Sequence, residues 1–243
     1  MRLICLPHAG AGTGVYRPWT SVLAPDITVI APQLPGRDGL RDRPAFTRLT
    51  ALVDWLASRV LEPLAAGPYA LFGHSVGALA AFELAREARR RGWPAPVRLF
   101  VSGRPAPDAE RVSRAIHQLP DAEFRAEIAA LGGTPAPVLA EPSLMDLLVP
   151  TLRADFAVAE SYEWSAEAPL DIPITVFGGD ADRHAPVPAL ERWRAHTTGA
   201  CAVRVLPGGH FFVTSARDAM LAHIARDLEA HAPSRDADLL EHV

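Results

Sequence analysis

Lysine is missing from this chain: all 24 of its basic residues are arginine. That excludes a Schiff-base lysine and the lysine of a phosphate-binding P-loop. Cysteine is scarce. Cys5 and Cys201 stand in separate apolar segments, too few for a disulfide scaffold, and read as reduced core thiols of a reducing cytoplasm. No apolar run reaches the roughly 18 residues of a membrane span, and the stretch around Leu3–Leu6 is too short for a signal-peptide core. A soluble, cytoplasmic protein is expected. Excess positive charge is lacking too, since 24 basic against 28 acidic residues leave −4. No general attraction to nucleic acid or to an anionic membrane follows. Metal-ligand spacings such as H-E-x-x-H or paired C-x-x-C are absent, so neither a metal nor a bound cofactor is expected.

What is present suits one large domain: 243 residues, 49% hydrophobic and 21% charged. Continuous apolar runs at Leu3–Leu6, Ile27–Ala31, Tyr69–Phe72, Val97–Ser102, Ile174–Phe177 and Ala202–Leu206 read as strands buried on both faces. Helical periodicity marks Val15–Leu23, Thr47–Ala65, Val76–Arg91, Val187–His196 and Ser215–His231. Alternating strands and helices predict an α/β fold with a parallel sheet covered on both sides. From about 105 to 169 no strand is convincing. Helical pattern over Asp121–Leu131 and Ser143–Tyr162, interrupted by Gly132–Pro137, predicts a helical insertion or lid over the sheet's C-terminal edge. The polar tail, 233–243, is expected to fray.

The sharpest local signal is Gly73-His74-Ser75-Val76-Gly77. A G-x-S-x-G match arises by chance in roughly one chain in ten of this length. Its context is therefore what counts: a buried strand precedes it and a strong helix follows, as a nucleophile elbow requires. Ser75 would sit at a helix N-terminus, where the Val76 N–H favours developing negative charge.

A serine needs a base, and nine histidines compete. His117, His223, His231 and His242 suit solvated or packed roles, His74 should point away from Ser75, and His196 suits a helix C-terminus. His210 stands apart, in the glycine-rich Pro207–Phe212 loop after the last strand, where catalysis gathers in such folds. The loop after Ile174–Phe177 offers two acids to orient it. Asp182, deeper in the loop, is the first choice; Asp180 is the alternative, or else braces the turn. Pro7-His8-Ala9-Gly10-Ala11-Gly12, after the first strand, can present the Ala9 N–H as a second oxyanion donor. Read as a dinucleotide fingerprint this loop fails: Val15 takes the third glycine position, and Gln33 stands where an acid should end the second strand.

At this point the chain resembles the type II (external, editing) thioesterases of polyketide and nonribosomal peptide biosynthesis, which have the α/β-hydrolase fold. The resemblance spans nearly the whole chain. It rests on Cys5–Gly10, Tyr16–Trp19, Gln33-Leu-Pro-Gly-Arg37, Gly73–Ala78, Leu131–Pro135, Leu152-Arg-Ala-Asp-Phe156, Pro173–Asp180 and Pro207–Phe212. It implies Ser75 as nucleophile, Asp182 as acid, His210 as base, the Ala9 and Val76 amides as oxyanion hole, and a mobile helical lid. It departs from the family's commoner residues at Ala11, Val76 and Arg183, and an extra N-terminal edge strand is expected to be short or missing.

The implied substrates are acyl, aminoacyl or peptidyl groups on the phosphopantetheine arm of acyl or peptidyl carrier proteins, and the protein itself is expected to be a monomer. Carrier proteins are acidic, so Arg37, Arg41 and Arg43 are docking candidates. Arg86 and Arg89–Arg91 lie roughly 20 Å from Ser75 along the helix and suit its C-terminal dipole instead. The rival readings are a small-molecule carboxylesterase on the same fold and a non-catalytic binding scaffold.

Overall fold

The computed structural model describes residues 1–62, 67–109 and 114–229. Its strands are β1 (Arg2–Leu6), β2 (Thr28–Ile30), β3 (Tyr69–His74), β4 (Leu99–Ser102), β5 (Ile174–Gly179) and β6 (Cys201–Leu206). They form one sheet in the order β2-β1-β3-β4-β5-β6, every pair parallel. Each strand coincides with one of the apolar runs, give or take the terminal residues. The helices in chain order are α1 (Arg17–Leu23), α2 (Leu49–Leu56), α3 (Val76–Arg90), α4 (Asp121–Leu131), α5 (Pro142–Glu160), α6 (Val187–Glu191) and α7 (Arg217–Leu228), with single turns at Ala136–Leu139 and Phe212–Ser215.

Unbroken apolar strands make sense once both faces are seen to be covered. Ile4, Leu6, Leu71, Val101 and Val176 pack beneath α2 and α3, while Leu3, Cys5, Phe72, Phe100 and Phe177 pack beneath α1 and α7. Adjacent residues of one strand thus enter opposite layers, as the twofold pleat dictates. The helix boundaries differ in instructive ways. The first helical run opens as a 3-10 turn (Thr13–Tyr16) before Pro18 enters the first turn of α1. The second passes into π geometry over Ala57–Leu61, and its expected end at Ala65 lies outside the described residues. So do His231, His242 and the 233–243 tail.

Between β4 and β5 only helices and connecting loops occur among the described residues, and no strand joins the sheet. Ile116, Phe124, Ile128, Met145, Val149 and Leu152 form a small core of their own, with Ala9 of the main domain packed against it. The return segment is tied down by the arginines at the end of α3. Arg89 and Arg90 stand in the last turn of α3, as expected of residues that complement a helix C-terminus, and the cluster is engaged in ion pairs and carbonyl bonds as well. Arg86, Arg89 and Arg90 pair with Glu167, Arg86 and Arg90 also with Glu83, and Arg90 and Arg91 with Glu87. Arg86 and Arg89 donate in addition to the carbonyls of Ser165, Ala168 and Pro169. The acids that make this possible lie about 80 residues away in sequence or one turn back on the same helix, so the cluster fastens the insertion's exit to α3.

Candidate active site

The strand order reverses between β1 and β3, and in open parallel sheets ligands gather outside the carboxyl ends of the strands at such a point. Leu6 pairs with Gly73, so the loop leaving β1 and the turn leaving β3 emerge side by side. Ser75 stands in that turn at φ +56°, ψ −116°, a conformation costing on the order of 1–3 kcal/mol for an L residue. Its N–H donates to the Ser102 carbonyl (2.8 Å), and its own carbonyl accepts from Ala78 N–H (3.1 Å), so α3 begins immediately. The flanking glycines are steric necessities. A Cβ at Gly73 would lie 2.0 Å from the Gly77 carbonyl oxygen, and one at Gly77 would lie 2.2 Å from that of Leu6. The Val76 N–H, in the first turn of α3, has no intrahelical carbonyl to bind.

His210 lies beyond β6, in the loop before the Phe212–Ser215 turn. Its Nδ1 is 2.8 Å from Asp182 Oδ2. The other oxygen of Asp182 accepts from the N–H groups of His184 (2.9 Å) and Ala185 (3.3 Å). Burial raises the Asp182 carboxyl pKa, but the hydrogen bond and charge of His210, with the two N–H groups, outweigh it and hold the group below its ordinary value. Asp180 is exposed and accepts from Gly208 N–H (2.9 Å), which ties the loop after β5 to the His210 loop rather than bracing its own turn. Arg183 is exposed, and no hydrogen bond or ion pair joins it to Asp182 among the described residues.

Ser75, Val76, Ala9 and His210 all line one cavity of about 860 Å³, which Ile128, Leu131, Leu148, Leu152 and Phe156 of the insertion also line. The structure thus brings together at one cavity the residues singled out from sequence, with Asp182 behind His210. His74, fully buried, does not line that cavity; it packs behind the rings of His8 and His210, and its Nδ1 shares a 2.9 Å hydrogen bond with Ser102 Oγ. His196 is buried against Asp108 (2.9 Å) rather than facing a helix terminus alone. His117 is part-buried and bonded to Glu160.

Two histidines escaped the sequence reading. His8 and His184 both line the cavity, and the His184 ring centroid is 5.5 Å from that of His210. The only available signal was proximity: one precedes Ala9, the other lies two residues past Asp182. Burial, with His210 and Arg37 nearby, lowers the His8 pKa to about 4. Burial likewise holds His74 well below its ordinary value, helped by His210 and His8. Both are neutral at neutral pH. Between pH 6.5 and about 4 the unfolded chain binds protons that folded His8 refuses, so stability falls as pH falls through that window. The melting temperature should therefore drop from pH 7 to pH 5, and His8→Gln should flatten that slope. An unchanged slope would show that His8 is not held neutral.

A parallel sheet between two helical layers, with a strained serine elbow at the strand-order reversal, defines an α/β-hydrolase. A model of the thioesterase domain family matches residues 1–230, and the chain belongs to that family. It is similar to the gramicidin S biosynthesis protein GrsT of Aneurinibacillus migulanus, 39% identical over 94% of this chain and 89% of that one. Among solved structures it is similar to the RedJ thioesterase of the prodiginine pathway in Streptomyces coelicolor, with TM-score 0.88 and 40% identity over 93% of this chain and 85% of that one. The type II thioesterase BorB of the borrelidin cluster matches with TM-score 0.86 and 38% identity over 93% and 92% of the two chains. The protein is a thioester hydrolase. None of the helices described is long and apolar enough to cross a membrane.

Proposed function

We propose that the protein releases acyl, aminoacyl or peptidyl groups from the phosphopantetheine arm of carrier proteins, clearing stalled or misprimed arms, with Ser75 as nucleophile, His210 as base and Asp182 as its orienting acid. The observation that carries this reading is the 2.8 Å bond from Asp182 to His210 beside a cavity that Ser75 shares. Asp182, kept ionised by its lowered pKa, accepts the Nδ1 proton and leaves Nε2 free to take another. As Ser75 Oγ bonds to the thioester carbon, its proton passes to His210 Nε2, and the N–H groups of Ala9 and Val76 receive the charge on the carbonyl oxygen. The C–S bond then breaks and the phosphopantetheine thiol leaves with the proton from His210. Water, deprotonated by the same ring, attacks the acyl-serine and frees the carboxylic acid and Ser75. A neutral His8 adds no second positive charge beside the imidazolium. Relatives named for gramicidin S, prodiginine and borrelidin biosynthesis support a carrier-bound substrate.

Of the three arginines after β2, Arg37 is not free to dock a partner, being buried in a bidentate pair with Asp155. Arg41 and Arg43 are exposed on the loop after β2 and keep the role. The test is release of acid from a panel of acylated carrier domains, beside nitrophenyl esters of the same acyl groups. Faster turnover of the carrier thioesters is expected; preference for the oxyesters would make the protein a carboxylesterase, and tight binding without turnover a scaffold. Arg41→Glu with Arg43→Glu should raise KM for the carrier substrate about tenfold and leave hydrolysis of a free acyl-pantetheine thioester unchanged. Equal loss on both substrates would remove these arginines from docking.

A further inference from the structure

Two of the sequence motifs have no part in the chemistry above: Gln33–Arg37, after β2, and Leu152–Phe156, on α5. The fold joins them, 118 residues apart, through Arg37 and Asp155. Arg37 Nη1 and Nη2 donate to Asp155 Oδ2 and Oδ1 at 2.8 and 2.7 Å, with both side chains about nine-tenths buried. A buried ion pair is by itself weak evidence of stabilisation, because desolvation offsets the attraction. What else the two groups hold is therefore the informative part. Asp155 Oδ2 also accepts from Gly10 N–H (2.8 Å), and Arg37 Nη1 also donates to the Ala11 carbonyl (3.0 Å). Gly10 sits at φ +73°, where a Cβ would lie 2.4 Å from Leu152 Cδ2, so the loop lies directly against α5. One turn back on α5, Thr151 donates to the Gly36 carbonyl (2.7 Å).

Ala9 lies between two planar peptide units. The one before it has its oxygen, on His8, fixed by Ala11 N–H at 3.1 Å. The one after it has its hydrogen, on Gly10, fixed by Asp155. With both planes fixed, the direction of the Ala9 N–H is fixed as well. We propose that Asp155, held in place by Arg37, is a positioning residue for the oxyanion loop: its bond to Gly10 N–H aims the Ala9 N–H, so the hole is complete only with α5 seated on the loop. This rests on the assignment of Ala9 under the proposed function.

Two double variants separate positioning from mere stability, since each removes both charges together and leaves neither stranded in the core. Arg37→Met with Asp155→Leu takes away the acceptor for Gly10; Arg37→Met with Asp155→Asn keeps one. On an acyl-pantetheine thioester the Leu variant should lose about 10- to 100-fold in kcat, less than the outright loss of an oxyanion donor, with KM little changed. Its affinity for an alkylboronic acid, which forms a tetrahedral adduct on serine, should fall in parallel. The Asn variant should stay within a few-fold of wild type in both. Equal kcat in the two folded variants, or a fall seen only in KM, overturns the proposal. If the Leu variant does not fold, a hundredfold loss of kcat in a folded Asn variant overturns it equally. Fluorophosphonate labelling of wild-type Ser75 is run alongside: its absence overturns the nucleophile reading underneath, whereas normal labelling with equal variants overturns the clamp alone.

Discussion

Ser75→Ala is expected to lower kcat about 10⁴-fold or more on any thioester substrate while leaving the melting temperature within the range of a surface substitution. The first half follows from the chemistry, since no other hydroxyl stands on the elbow and removing one member of a nucleophile–base pair disables the set. The second follows from the backbone. The strained turn is held by the Ser75 N–H bond to Ser102 and by the close approach of Gly73 and Gly77 to neighbouring carbonyls, none of which uses the side chain. Alanine inherits the same positive φ, so the strain neither grows nor disappears. Covalent labelling by a fluorophosphonate should vanish in this variant. Labelling that persists would move the nucleophile elsewhere.

Asp182→Asn should be the second most damaging change, and Asp180→Asn two residues earlier should be nearly silent. The two carboxylates lie on one loop, yet their surroundings differ. Asp182 is 5% exposed and bonds His210 itself, whereas Asp180 is exposed and accepts from the backbone N–H of Gly208, in the loop before His210. An asparagine at 182 can present its NH₂ to Nδ1 and so stabilise the wrong tautomer, an exchange that costs about 10⁴-fold in kcat where it has been made in such a triad. An asparagine at 180 still accepts from Gly208 N–H through its carbonyl, so kcat/KM should change by less than a few-fold. Steady-state kinetics of the two variants decide the matter, and the opposite ranking would hand the acid's role to Asp180.

Most of the frame was legible because it depends on local pattern. Each described strand is visible as a mainly apolar run: β1, β3, β4 and β5 because they are buried on both faces, and the half-buried edge strands β2 and β6 because only Thr28 and Arg204 interrupt theirs. Asp121–Leu131 was read to its ends, with Pro120 before it and the left-handed Gly132 after it supplying the boundaries. The elbow was legible because glycine spacing announces a close backbone approach, and the His210 loop because its glycines mark a turn, with Gly208 at φ +126°. What escaped depends on distance along the chain. Arg37 looked like a docking cation because nothing near it in sequence reveals Asp155, and the ion pairs of the α3 arginines with Glu167 were hidden because that residue lies far downstream. The turn at Phe212–Ser215 was hidden beneath its glycine-rich approach, and the place of His8 in the cavity depends on a loop path that composition does not encode.

The central claim is that a thioester acyl group passes through Ser75 on its way to water. Rapid mixing of the protein with an acylated carrier domain, quenching within milliseconds and peptide mass spectrometry would observe that step directly. An adduct of the acyl mass confined to the peptide bearing Ser75, rising and then decaying as free acid appears, is the expected result. Acid released at full rate with no adduct there, or with the adduct on another residue, would contradict the account.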